Sequence, residues 1–169
     1  RIWLFPLLIL ASILLTGCAL QTVDEMYALP KRSKEYDSLQ SAIDSAMYGL
    51  SYSAPVSGEN QQTVQMADLD GDGVEEYIVF AQGNSANPLQ VLIFRQEEDG
   101  TCRLMEVIQS NGSAFEQVEY VQMDNAPGYE LVVGRQLSDQ VLRSVSVYSF
   151  SSGSAEQLMM GGYSKFITC

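Results

Sequence analysis

The sequence contains no histidine and few cysteines or basic residues. Its 169 residues include 3 Cys and 9 Lys or Arg, against 21 Asp or Glu. Without histidine, the chain lacks the usual general base, most kinds of zinc site and every Ser-His or Cys-His nucleophile arrangement. The formal net charge of −12 opposes binding to nucleic acid phosphates and to anionic lipid head groups. We therefore expect no nucleic acid partner.

The chain also lacks the local motifs of common catalytic sites. Neither a phosphate-binding glycine loop nor a nucleophile elbow is present. Glycosidase chemistry needs two carboxylates about 5–9.5 Å apart in a cleft. The acidic residues here cluster in one segment or are scattered along predicted strands. We expect that the chain is not an enzyme.

The three cysteines show no metal-ligand spacing. Cys18 follows an apolar N-terminal segment, Cys102 lies in a predicted strand and Cys169 is the final residue. A disulfide between Cys102 and Cys169 is compatible with the sequence of an exported protein, and so are two free thiols.

The N-terminal segment has the pattern of a secretory signal peptide. Arg1 precedes an apolar run that extends to Leu15 and ends in small residues. The run has about 14 apolar residues, interrupted by Pro6 and Ser12, which is short for a membrane-spanning helix of ~20 residues. An uncleaved membrane anchor is the alternative. Because no initiator Met is present, we expect that the sequence starts inside the leader.

The residues Leu15-Thr16-Gly17-Cys18 resemble the lipobox of bacterial lipoproteins. The resemblance implies that residues 1–17 are a lipoprotein signal peptide and that Cys18 becomes the acylated first residue of the mature protein. It also implies a membrane partner, with lipidated Cys18 holding the protein on the extracytoplasmic face of the bacterial cell membrane. Stable anchoring of this kind requires two or more acyl chains.

A tether, a helix and a linker are predicted next. Residues 18–32 show no sustained periodicity and are predicted to be the tether. An amphipathic helix is predicted within residues 33–50, with Ser33 as N-cap. Its apolar stripe consists of Tyr36, Leu39, Ile43, Ala46, Met47 and Leu50. We expect the stripe to pack on a sheet; the alternative is an exposed helix that docks a membrane partner, as in a sensor or assembly lipoprotein. Residues 51–62 contain several turn residues and are predicted to be a linker.

From residue 63 onward the sequence repeats itself. The motif V-Q-M at residues 64–66 recurs at residues 121–123. Further along, the segments 76–79 and 130–133 are similar, and the offset between them is shorter by three than the offset between the two V-Q-M motifs. This pattern indicates two copies of one unit, with three residues lost in a loop of the second copy.

Each copy is predicted to form four short antiparallel strands separated by turn residues. The first copy covers residues 63–113, with strands near 63–67, 76–81, 89–96 and 102–109. The second copy covers residues 114–169, with strands near 116–123, 129–134, 141–150 and 156–163.

An acidic segment, D-L-D-G-D-G-V-E-E at residues 68–76, joins the first two predicted strands. Its carboxylates repel one another unless a cation or water screens them. Ca²⁺ prefers six to eight oxygen ligands at about 2.3–2.6 Å, which such a turn can supply. The expected ligands are the side chains of Asp68, Asp70, Asp72 and Glu76 and the carbonyl oxygen of Val74. An acidic turn with solvated charges and no metal is the alternative.

The spacing of these acids differs from that of an EF-hand. An EF-hand has a bidentate Glu at its twelfth position, which here is Val79, and helices on both sides instead of strands. Residues 68–76 instead resemble the calcium loop D-x-[DN]-x-D-G-x-x-[DE] of the FG-GAP/VCBS repeat family, with Glu76 where the family more often has Asp. The resemblance implies one structural Ca²⁺ and the blades of an integrin-type β-propeller. Residues 124–130 of the second copy lack the middle acids, so we expect no second site there.

These observations predict a mainly β fold. It consists of two tandem four-stranded antiparallel blade-like units, a partial β-propeller, after a signal peptide and one amphipathic helix. Two blades cannot close a ring, because propellers typically have four to eight. We therefore expect a fragment of a longer protein. An open sandwich of two sheets, with the helix covering one side, is the alternative.

The FG-GAP/VCBS resemblance implies a lipid-anchored extracytoplasmic module for binding, adhesion or scaffolding. Its ligand would be an unknown extracellular protein or a glycan, and its calcium would be structural. The alternative is an accessory or partial domain of an envelope carbohydrate-active or other enzyme whose catalytic part lies outside this sequence.

Overall fold

The structure, a computed structural model, describes four ranges of the chain: residues 33–123, 125–138, 142–151 and 153–164. Four predicted features lie outside the described residues, namely the signal peptide 1–17, the lipidation site Cys18, the tether 18–32 and the terminal Cys169. Cys102, the other cysteine of the possible disulfide, is a half-buried free thiol. Within the described residues the chain forms a helix followed by two β-sheets.

The helix α1 spans Lys34–Ala46 and begins where the sequence predicts. Ser33 is its N-cap, because the Ser33 Oγ accepts a hydrogen bond from the N–H of Tyr36 at 3.2 Å. The helix ends one turn before Gly49, which adopts a φ of 76° that favours glycine. The predicted helix is therefore present, and it is slightly shorter than expected.

The strands form two antiparallel sheets, as the sequence predicts. Sheet 1 contains β1 (Ser51–Tyr52), β2 (Val64–Ala67), β3 (Glu76–Gln82), β4 (Leu89–Gln96) and β5 (Cys102–Ser110). Sheet 2 contains β6 (Ala114–Val121), β7 (Glu130–Ser138), β8 (Leu142–Ser151) and β9 (Ser154–Tyr163). In sheet 1, β3 pairs with β4 on one side and with β1 and β2 on the other, whereas sheet 2 has the order β6-β7-β8-β9. The prediction of a mainly β fold with two antiparallel units is confirmed.

Residues 51–62 are more than a linker, which corrects the prediction. The first two of them form β1 beside the end of β3. The N–H of Ser53 then donates to the carbonyl oxygen of Phe80 in sheet 1 at 3.0 Å. The N–H of Val56 donates to the carbonyl oxygen of Phe115 in sheet 2 at 3.1 Å. The segment therefore ties the two sheets together through backbone hydrogen bonds.

The strand registers correct the predicted alignment of the two copies. Glu76 pairs with Ala67 in sheet 1, and Glu130 pairs with Val121 in sheet 2. Each glutamate lies the same number of positions after its partner, so the loops between the paired residues have equal length. No residues are lost in the second loop. The two V-Q-M motifs occupy different positions in the register, and their match is a coincidence of sequence.

A bulge at the same position marks both sheets. The register shifts between Ile93 and Phe94 of β4 and between Val147 and Tyr148 of β8, which are equivalent positions when Glu76 is aligned with Glu130. A bulge bends its strand and increases the local twist. The shared bulge is evidence, independent of residue identity, that the two sheets are copies of one unit.

The two sheets stack front to back. Ile78 and Val91 on one face of sheet 1, which we call its front, share a buried core with Leu131 and Val133 of sheet 2. The sheet 1 equivalent of Val133 is Val79, which lies in a different cluster on the opposite face, the back. The front of sheet 1 therefore packs on the back of sheet 2.

Helix α1 covers the back of sheet 1. Ile43 is buried against Val79, Leu92 and Phe94, with Leu39, Ala46, Met47 and Leu50 packed around it. Burying one such aliphatic side chain contributes about 1.5–3 kcal/mol to stability. The predicted packing of the stripe on a sheet is confirmed, and the alternative of an exposed stripe is wrong. Tyr36 lies outside this cluster and is about half exposed.

Candidate functional site

The acidic loop between β2 and β3 folds around its first aspartate. The Asp68 Oδ1 accepts a hydrogen bond from the N–H of Gly71 at 2.7 Å, and Oδ2 accepts one from the N–H of Gly73 at 3.0 Å. Both glycines have positive φ, 77° and 88°, which a residue with a Cβ rarely adopts. The alternation of Asp and Gly thus has a direct structural role in this loop.

Asp70 and Asp72 each cap the backbone two residues later. The N–H of Asp72 donates to Asp70 Oδ1 at 3.3 Å, and the N–H of Val74 donates to Asp72 Oδ1 at 2.7 Å. In such Asx turns a side chain takes the place of a backbone hydrogen-bond partner. These contacts fix the direction of both carboxylates in the turn.

Glu76 is the most deeply buried acid of the loop, with 2% of its surface exposed. Its Oε2 accepts a hydrogen bond from the N–H of Leu69 at 2.9 Å. Burial raises the pKa of the Glu76 carboxyl above its ordinary value of 4.5, and the negative charges of Asp72 and Asp68 add to this rise, while the Leu69 N–H opposes it. A carboxylate in this environment is stabilised by a nearby cation.

Three of the five predicted ligands come together. One carboxylate oxygen from each of Asp68, Asp70 and Glu76 lies within 4.8 Å of the other two. Oxygens that bind one Ca²⁺ at about 2.3–2.6 Å are separated by at most about 5 Å, so the three carboxylates fit a common ion. The structure does not bring the Asp72 carboxylate into this group. The carbonyl oxygen of Val74 stays a predicted ligand.

Arg95 on β4 belongs to the same cluster, although it is not among the residues that the sequence predicts for this site. Its Nε lies 3.2 Å from the Glu76 Oε1, and a terminal guanidinium nitrogen forms an ion pair with Asp70. No local motif links Arg95 to the loop, because it lies 19 positions after Glu76. The available signal is its position two residues after Ile93 on a predicted strand, which places both side chains on the front of sheet 1.

The loop between β6 and β7 keeps the buried glutamate. The Glu130 Oε2 accepts a hydrogen bond from the N–H of Met123 at 2.8 Å, as Glu76 does from the N–H of Leu69. Glu130 is also buried, with 5% of its surface exposed. This glutamate contact is therefore common to both copies.

The rest of the second loop differs from the first. When Glu76 is aligned with Glu130, the second copy has Gln122, Ala126, Pro127 and Ser149 at the positions of Asp68, Asp72, Gly73 and Arg95, respectively. Asp124, the equivalent of Asp70, lies outside the described residues. Among the residues that the structure describes, the first loop alone brings together three carboxylates close enough to contact one metal ion.

The two loops touch through their backbones. The N–H of Tyr129 donates to the carbonyl oxygen of Asp68 at 3.0 Å. A Cβ on Gly128 would lie 2.5 Å from the carbonyl oxygen of Leu69, so glycine is required at this contact. A cleft of about 180 Å³ beside the contact is lined by residues that include Asp70 and Tyr129. The cleft adjoins the acidic cluster at Asp70.

Comparison of the sequence with family models, with curated proteins and with solved structures found no match. The FG-GAP/VCBS resemblance of residues 68–76 therefore stays a prediction from the sequence, as does the lipobox that ends at Cys18. Within the described part of the chain, no helix has both the length and the apolar character needed to cross a bilayer.

Proposed function

We propose that the protein is a lipid-anchored extracytoplasmic binding module of the bacterial cell envelope, stabilised by one structural Ca²⁺. Asp68, Asp70 and Glu76 bind the ion, and Asp72 and the carbonyl oxygen of Val74 complete its ligand set. The module serves adhesion or scaffolding through an extracellular protein or glycan ligand, and it is not an enzyme.

The observation that carries this proposal is the convergence of three carboxylates on a loop built from alternating Asp and Gly. A cation at this point offsets the cost of burying the Glu76 carboxylate among like charges. The cluster offers oxygen ligands, which suit a hard cation such as Ca²⁺ better than Zn²⁺. Extracellular calcium modules bind their ion at about 10⁻⁴–10⁻³ M, which sets the concentration range for a test.

Front-to-back stacking supports the interpretation of the sheets as blade-like repeats. If the two sheets met through equivalent faces, equivalent positions such as Val79 and Val133 would both line the shared core. Only Val133 of this pair lies in that core, and Val79 lies under α1. Tandem repeats meet their neighbours through two unlike surfaces in this way.

Calcium titration by calorimetry, with thermal melts of the full chain in detergent, tests the metal site. Wild type is expected to bind about one equivalent and to gain thermal stability, because Ca²⁺ binds the folded loop. The variant Asp68→Gln/Asp72→Ala replaces two acids of the first loop with the residues that the second loop has at the equivalent positions. It is expected to lose both responses while its far-ultraviolet circular dichroism stays unchanged. If millimolar calcium neither binds to wild type nor raises its melting temperature, the calcium site is contradicted and residues 68–76 are an acidic turn without a metal.

The lipid anchor needs a separate test, because it depends on residues outside the described ranges. Cys18→Ala is expected to shift the protein from the membrane fraction to the soluble fraction, or to leave its leader uncleaved. Labelling with a radioactive fatty acid should be lost in the same variant. Retained labelling of Cys18→Ala would contradict acylation at this residue.

A further inference from the structure

We infer that the positively charged Arg95 side chain occupies the cluster of Asp68, Asp70 and Glu76 and competes there with Ca²⁺. This inference rests on the proposed calcium site. Its guanidinium pairs with Asp70 and Glu76, two of the three carboxylates that would bind Ca²⁺. Two cations bound to the same oxygens lie a few ångströms apart and repel each other strongly. Ca²⁺ binding therefore requires Arg95 to release both carboxylates.

Arg95 compensates part of the negative charge of the loop when no divalent ion is bound. Three carboxylates lie close together there, and Glu76 is almost fully buried. An uncompensated buried charge is strongly destabilising, and the Arg95 guanidinium supplies the opposite charge at 3.2 Å from Glu76. The cluster is thus partly neutralised from within the chain.

The second copy lacks the arginine, although it has Asp124 and Glu130 at the positions equivalent to Asp70 and Glu76. There Ser149 stands at the position of Arg95, and Gln122 stands at the position of Asp68. The loop with fewer acids among its described residues is also the loop without the arginine. The arginine therefore occurs with the more acidic of the two loops, and the second copy folds with a serine at this position.

The released Arg95 side chain has a path to solvent. The gap beside it, bounded by Glu106, Phe150 and Gly153, is only about 10 Å³, roughly the smallest space that holds one water molecule. A guanidinium does not fit there. The side chain is already 25% exposed, so it can turn outward without opening the core. Exchange of Arg95 for Ca²⁺ is thus a local rearrangement at the rim of the sheets.

The test compares calcium affinity and metal-free stability in Arg95→Gln and in a matched control. Arg95→Gln is expected to melt at a lower temperature than wild type in chelator and to bind Ca²⁺ about tenfold or more tightly, because a competing charge is gone. Arg103→Gln removes the same charge from the cross-strand neighbour of Arg95. The Arg103 side chain is 74% exposed and contacts Glu97, so the control should keep its affinity within about twofold of wild type.

The outcomes separate this inference from the proposed function. If wild type binds Ca²⁺ and Arg95→Gln binds it no more tightly, the competition is overturned and the site stands. If Arg95→Gln binds Ca²⁺ and wild type does not, the competition is supported and calcium binding by the native protein is overturned. Binding by neither protein overturns both. If Arg95→Gln does not fold in chelator, Arg95→Lys is measured instead, because it keeps a positive charge. Calcium affinity and metal-free stability equal to those of wild type support the role of charge, whereas a tenfold gain in calcium affinity contradicts it.

Discussion

The loops that open β3 and β7 have equal length and different chemistry. Both lead into a buried glutamate, Glu76 or Glu130, that accepts a hydrogen bond from the N–H seven residues earlier. Since both copies keep this contact, it belongs to the fold. Asp68 is different, because Gln122 stands at its position in a loop that keeps the same glutamate contact. The glutamate contact therefore forms without the negative charge that Asp68 adds to the first loop.

This comparison shows which contact of the acidic residues is common to both copies and which charges occur in the first copy alone. Glu76 has both roles, because it accepts the backbone N–H with Oε2 and meets Arg95 with Oε1. Asp70 also meets the guanidinium. The two copies differ in charge at positions that include Asp68, Asp72 and Arg95, and substitutions at the two loops should show this difference.

The largest effect is expected where the loops touch. Gly128→Ala would place a Cβ 2.5 Å from the carbonyl oxygen of Leu69 and 3.1 Å from the N of Gly71. Because backbone atoms must move apart, we expect the free energy of unfolding to fall by about 3 kcal/mol. Gly161→Ala is the control, since nothing lies within 4 Å of its Cβ, and it should change stability by less than about 0.5 kcal/mol. Urea unfolding measures both, and equal stability of the two variants would mean that the loops do not touch.

A smaller effect is expected at the structural glutamate of the second loop. Glu130→Ala leaves the N–H of Met123 without its acceptor, which should cost about 2 kcal/mol of stability. Glu130→Gln keeps an oxygen acceptor at the same place, so its loss should be well below that of alanine. Urea unfolding with calcium and with chelator should give the same losses. A calcium-dependent loss in Glu130→Ala would show that the second loop also responds to the ion.

The smallest effect is a change in pH dependence at Glu76. Burial raises its pKa in the folded protein, so its contribution to stability is fully present below the ordinary pKa and is lost as pH rises through the folded pKa. In chelator, the melting temperature of wild type should therefore fall relative to that of Glu76→Gln between pH 4.5 and 7. Calcium at pH 7 should reverse this trend for wild type alone. Parallel pH profiles of the two proteins in chelator would contradict the prediction.

Much of the fold was accessible from the sequence because its strands are long and bounded by turn residues. Ser33 at the N-cap and the stripe around Ile43 likewise located α1 and its packing. The two-residue β1 was missed, since so short a strand has no alternation to detect. The predicted alignment of the two copies is wrong because it relies on the identical residues at 64–66 and 121–123. The true alignment is visible only in the strand pairing.

The candidate site was accessible in part for a related reason. Asp68, Asp70 and Glu76 lie within one short segment, so their spacing alone predicted that they come together. The same spacing predicts Asp72 as a ligand, and in the structure its Oδ1 accepts a hydrogen bond from the N–H of Val74. Arg95 reaches the cluster from another strand. Contacts of that kind depend on sheet pairing and leave no trace in a local motif.

The stacking of the sheets gives the domain a polarity. Sheet 1 contacts sheet 2 through its front, whereas sheet 2 contacts sheet 1 through its back, so the interface is not self-complementary. Helix α1 occupies, on the back of sheet 1, the surface equivalent to the one by which sheet 2 packs on sheet 1. The same face of the repeated unit thus contacts a helix in one copy and a sheet in the other.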